Sequence, residues 1–115
     1  MRISKLIQKF ESIFKTLTPL SSPSLTQKGK YYVLEGVSKG QNQTFEADFK
    51  VLIAFNSLNK DMAAGLENLD LILQEIQNAQ APDSQTRIIF ESLKLSSIHE
   101  GLFVYAIDLK MRIAQ

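Results

Sequence analysis

The stretch GLFVYAIDLKMRIAQ, residues 101–115, decides how this chain is read. From Phe103 onward every second residue is apolar: Phe103, Tyr105, Ile107, Leu109, Met111 and Ile113. The residues between them begin apolar (Val104, Ala106) and end charged (Asp108, Lys110, Arg112). A period of two puts these sets on opposite faces of a β-strand. One earlier stretch, TFEADFKVLIAFN (44–56), has the same form. There Phe45, Ala47, Phe49, Val51, Ile53 and Phe55 alternate with Thr44, Glu46, Asp48, Lys50, Leu52 and Ala54.

Charge spacing predicts how the two strands meet. Paired antiparallel with Glu46 opposite Arg112, they also set Asp48 opposite Lys110 and Lys50 opposite Asp108. On the other face Phe49 meets Leu109, Val51 meets Ile107 and Phe55 meets Phe103. A slip of one residue would bring apolar positions against charged ones. Exposed ion pairs stabilise little, so the pattern marks register more than strength. Leu52 then lies beside Ala106 and Ala54 beside Val104, a small apolar area at one end of the charged face. Two readings stay open for it: cover by a loop, with 18–29 as the candidate, or a contact with another subunit.

Two helices and two further strands surround this pair. Ile3, Leu6, Ile7, Phe10, Ile13, Phe14 and Leu17 form one helical face, opposed by Lys5, Lys9, Glu11, Ser12 and Lys15, with Pro19 as the stop. Packing on the sheet is the default for this helix; its few lysines and lack of tryptophan make a poor membrane anchor. The stretch TPLSSPSLTQKG (18–29) reads as a connector. A strand follows at about 30–37, with turn signals at Gly40 and Asn42. The second helix begins at an Asn59 or Asp61 cap and buries Met62, Leu66, Leu69, Ile72, Leu73 and Ile76. A strand at about 86–97 leads through a three-residue loop, with Gly101 left-handed, into the closing strand. The expected fold is one α+β domain over 1–115. It is a two-layer sandwich, α-β-β-α-β-β, with a four-stranded antiparallel sheet in the order 1-2-4-3 and both helices on the odd-numbered face.

Composition narrows the function. The chain has 115 residues, enough for a sizeable core without metal or disulfides. A net charge of +1 offers no electrostatic case for nucleic acid or an anionic membrane. With no cysteine there is no thiol catalysis or thiolate metal site. No apolar run reaches the length of a membrane span, and charges interrupt MRISKLIQKFESIF where a signal peptide would be apolar.

Chemical motifs are scarce. His99, the single histidine, falls in a predicted turn without the neighbours a transition metal needs. Glu46 and Asp48 are paired carboxylates, yet each has a cation opposite it. QKGKYY lacks the glycine loop and the Ser or Thr of a phosphate-binding motif. Tyr31 and Tyr32 with Lys28 and Lys30 could stack on nucleic acid, but at near-zero net charge they read as ordinary strand residues. The residues favour an assembly or binding role over an enzyme, with no cofactor and no metal.

TFEADFKVLIAFNSLN, AAGLENLDLILQEI and HEGLFVYAIDLKMRI together resemble the small tail-completion, or tail terminator, proteins of Mu-like contractile-tailed phages. The positions that carry the likeness are Asn56, Gly65, Leu69, Leu73, Gly101, Phe103, Tyr105 and Ala106, within about 44–113. The resemblance implies a structural virion protein. It would form a ring, expected to be a hexamer, on the head-proximal end of the tail tube, stopping growth and presenting the head-joining surface. Its partners would be copies of itself, the tube and sheath proteins and the head-completion or connector proteins, in a tail assembled in the bacterial cytoplasm. A ring needs heterologous contacts. The residues considered for one are Leu52, Ala54, Val104 and Ala106, with Lys50, Asp108, Lys110 and Arg112 tuning register, and the 18–29 and 38–43 loops for its counterpart. Three alternatives remain: another connector or baseplate component, a small non-enzymatic α/β adaptor domain, and a small enzyme working through the Glu46 and Asp48 carboxylates alone.

Overall fold

The computed structural model describes residues 2–20, 25, 27–56 and 59–114, with backbone alone at 59–61. The elements are α1 (Ile3–Ile13), β1 (Thr18–Pro19), β2 (Gly29–Lys39), β3 (Thr44–Asn56), α2 (Asn59–Asn78), β4 (Thr86–His99) and β5 (Leu102–Ala114). They form a mixed α+β fold whose single described sheet runs β1-β2-β3-β5-β4.

The central register is the one the charges predict. Glu46 pairs with Arg112, Asp48 with Lys110 and Lys50 with Asp108, and the ladder continues unbroken from Thr44–Ala114 to Asn56–Leu102. β2 pairs antiparallel with β3, and β4 with β5. The four long strands therefore follow the predicted succession. The expected count of four and the all-antiparallel sheet are corrected. Thr18 and Pro19 form a fifth, short strand parallel to Tyr31 and Tyr32. Proline pushes the residue before it into extended backbone and has no N–H to donate, so Thr18–Pro19 suits a sheet edge and not a helix end. The first helix accordingly stops at Ile13, short of Pro19, with Phe14 (φ −114°, ψ 82°) leaving helical geometry.

Both helices cover the odd-numbered face. Leu6, Phe10 and Phe14, then Leu69, Ile72 and Ile76, join Ala47, Phe49, Val51, Ile53, Phe55, Ile107, Leu109 and Met111 in one core. The Phe10 ring stacks on Phe49 with centroids 3.9 Å apart and planes 8° from parallel. With Leu6 and Phe10 buried in this core, α1 packs on the sheet. Among the described residues no helix is long and apolar enough to cross a membrane. The predicted stripe of α2 holds except at Leu66, which is exposed. Its neighbour Gly65 makes the contact with the sheet instead, against Phe55. The Asn59 or Asp61 cap concerns side chains outside the described residues.

Both hairpins turn tightly. Asn42 and Gln43 have φ of 56° and 61° between β2 and β3. The β4–β5 loop has two residues, not three: Glu100 (φ 51°) and Gly101 (φ 81°), with His99 already paired to Leu102. Left-handed backbone at both central positions is the primed turn that matches strand twist.

Candidate functional site

The face of the sheet away from the helices divides into two parts. One end is apolar. Leu52, Ala54, Val104 and Ala106 are only 9%, 4%, 5% and 2% exposed and cluster with Leu102. Leu20, Leu25 and Tyr31 pack over them. Of the two sequence readings for this area, cover by residues of the 18–29 segment is the arrangement found. The four residues proposed for a subunit contact thus offer almost no open surface. Leu20 is held there by its N–H, which donates to the Tyr32 carbonyl at 3.0 Å on the outer edge of β2.

The other part is a shallow charged trough lined by Glu35, Gly36, Asp48, Lys50, Glu91, Asp108 and Lys110. Arg112 donates from Nε (2.9 Å) and Nη2 (2.7 Å) to Oε2 of Glu46. That hydrogen bonding holds the Glu46 carboxyl below its usual range. Lys110 lies 3.9 Å from Asp48 and 4.0 Å from Glu91. The third predicted pair faces across the ladder, but its side chains part. Lys50 reaches Glu35 at 3.3 Å, and Asp108 accepts from the Ser92 hydroxyl at 3.0 Å.

Glu35, Glu91 and Ser92 were not foreseen on this face, and the cause is the same on both outer strands. The registers shift between Leu34 and Gly36 on β2 and between Phe90 and Ser92 on β4. Each bulge inserts one residue and turns its side chain toward the charged face. Nothing in an alternation count reveals an extra residue before the partner strand is known.

Among the described residues no group of three or more His, Asp or Glu side chains is placed to hold a metal ion. The acids are interleaved with Lys50, Lys110 and Arg112, which pair with Glu35, with Asp48 and Glu91, and with Glu46. His99 is exposed, 3.9 Å from Glu100, at the far hairpin. Tyr32 is buried in the core and donates its hydroxyl to Glu11 at 2.7 Å, so it cannot join Tyr31 in an open stacking platform. No protein-family model matches this chain, and neither does any curated protein.

Proposed function

We propose that this protein is a structural subunit that caps the head-proximal end of a contractile phage, or phage-derived, tail tube as a homo-oligomeric ring. The observation that supports this reading most is where the positions of the resemblance fall in space. Gly65 of α2 lies against Phe55, and Leu69 enters the same core. Phe55 stacks with Tyr105 (5.7 Å, 8°) and Phe103 (6.3 Å, 28°). Gly101 makes the adjoining turn and Asn56 pairs with Leu102. Six of the eight positions, spread over 50 residues (Asn56 to Tyr105, both counted), thus gather at one end of the sheet, while Ala106 lies on its opposite face.

The ring would stop tube and sheath growth and offer the surface to which the head joins, acting by shape and contact alone. Native mass spectrometry of the purified protein over a concentration series tests it. A discrete closed oligomer, with six copies the expected number, that binds tail-tube ends in electron micrographs supports the cap. A monomer at every concentration that also fails to decorate tube ends overturns it and leaves the adaptor reading.

A further inference from the structure

The sheet has two open edges that are suited to each other. On β2, β1 covers only Tyr31 and Tyr32, and no described strand pairs with Val33–Lys39 from outside. On β4, the Ile88 N–H donates to the Gln80 carbonyl, and beyond it no described residue extends the ladder outward. Three successive antiparallel pairings make β2 and β4 antiparallel to one another. A second molecule placed alongside would therefore continue the same antiparallel sheet.

The backbone groups at both edges are in phase. On β2 the outer-edge bond falls at Tyr32, and on β4 at Ile88, both on the helix side of the sheet. The bulges leave that phase intact, because Val37 still pairs with Ala47 and Leu93 with Ile107 on the helix side. Val37 and Leu93 thus both direct N–H and C=O outward.

Side chains agree with the same register. With Val37 opposite Leu93 of the next copy, exposed Phe90 and Leu95 (45% and 43%) lie diagonal to exposed Val37, apolar against apolar. Gly36 falls opposite Lys94 with Glu35 beside it, and Lys39 falls level with Glu91. Neither Lys39 nor Lys94 has an ion-pair partner among the described residues. A bulged edge resists chance strand addition. Here β2 carries a bulge at Glu35 and β4 carries two, at Glu91 and Ser96, so neither edge presents a flat strand to chance partners.

We infer that the outer edge of β4, residues 89–95, binds the β2 edge, residues 34–39, of a second copy of this chain, head to tail, with Val37 opposite Leu93 and Ser38 opposite Ser92. The contact is heterologous, so it repeats until it closes; it rests on the ring reading for that closure and gives the ring its subunit interface.

The chain has no cysteine, which makes the test direct. In the register inferred, Ser38 and Ser92 form a non-hydrogen-bonded pair, whose Cα separation of about 4.5 Å suits a disulfide. Within one molecule the two lie on opposite outer strands and cannot meet. The variant carrying both Ser38→Cys and Ser92→Cys is incubated with oxidised glutathione. It is expected to give a covalent ladder on non-reducing denaturing gels, while each single variant gives none beyond dimer. Charge reversal adds specificity: Glu35→Lys or Lys94→Glu alone weakens association about tenfold, and the two together restore it. A closed oligomer with no cross-link overturns this interface and leaves the ring reading standing. A ladder without any closed species supports the edge pairing and sinks the ring. A monomer that does not cross-link overturns this interface, and the ring reading falls with it only if the protein also fails to decorate tube ends.

Discussion

Gly65 of α2 sits directly on the ring of Phe55: a Cβ at that position would lie 2.1 Å from Phe55 Cγ. In an ordinary helix interior, Gly→Ala gains about 1 kcal/mol. Here the methyl would force the helix off β3, and overpacking of this kind costs about 1–3 kcal/mol. Gly65→Ala is therefore expected to destabilise by about 2 kcal/mol in urea denaturation. Phe55→Leu should recover part of that loss in the Gly65→Ala background while being destabilising alone. A stabilised Gly65→Ala protein would mean that the helix does not approach the strand this closely.

Tyr32 ties α1 to β2 through its hydroxyl bond to Glu11. Burial, and then the Glu11 carboxylate beside it, push the phenol up to about 12 from its ordinary value near 10. The folded protein thus holds this proton more tightly than the unfolded chain. Its contribution to stability is complete below about pH 10 and declines as pH rises from 10 to 12. Absorbance titration should show a late tyrosine ionisation, and Tyr32→Phe should remove that step. Losing the bond should cost about 1 kcal/mol near neutral pH. A late step that persists in Tyr32→Phe would assign it to another tyrosine.

How much of this was legible in the sequence depended on whether a pattern spanned two strands or one. The β3–β5 register was readable because Glu46, Asp48 and Lys50 had to find Arg112, Lys110 and Asp108, and one slip spoiled every pair. The helix faces were readable from 3.6-residue spacing. The two-residue β1 was not, since Thr18–Pro19 offers no period and owes its pairing to the Leu20 N–H and Tyr32 carbonyl. The bulges at Glu35 and Glu91 were hidden too, so the charged trough was drawn without them. The exposure of Phe90, Leu95 and Ile98 depends on what packs over each of them, a tertiary fact absent from alternation.

Asp83 accepts from the Lys9 ammonium, linking α1 to the segment before β4. That bond first, then the Gln85 backbone N–H and the Thr86 side chain, lower its carboxyl to about 2 from an ordinary 3.8. With the folded value depressed, the stabilisation is present above about pH 4 and is lost as pH falls toward 2. Asp83→Asn should flatten the dependence of the thermal midpoint on pH within that window and leave the slope above pH 5 unchanged. An unaltered acid limb would show that another carboxylate governs it.

The apolar end of the bare sheet face calls for a different kind of variant from the one its composition first invites. Leu52→Asp or Val104→Asp would place a carboxylate beneath Leu20 and Leu25 and unfold the subunit, whatever that face does in an assembly. Leu20 and Leu25 are only partly buried, so replacing both with Ser should cost about 1 kcal/mol each and leave a folded chain. That variant should bind a hydrophobic dye more strongly, because Leu52, Ala54, Val104 and Ala106 lose their cover. If the edges of β2 and β4 make the subunit contact, its native mass should match that of the unaltered protein at equal concentration. A changed oligomer in a variant of nearly unchanged stability would return the contact to this face.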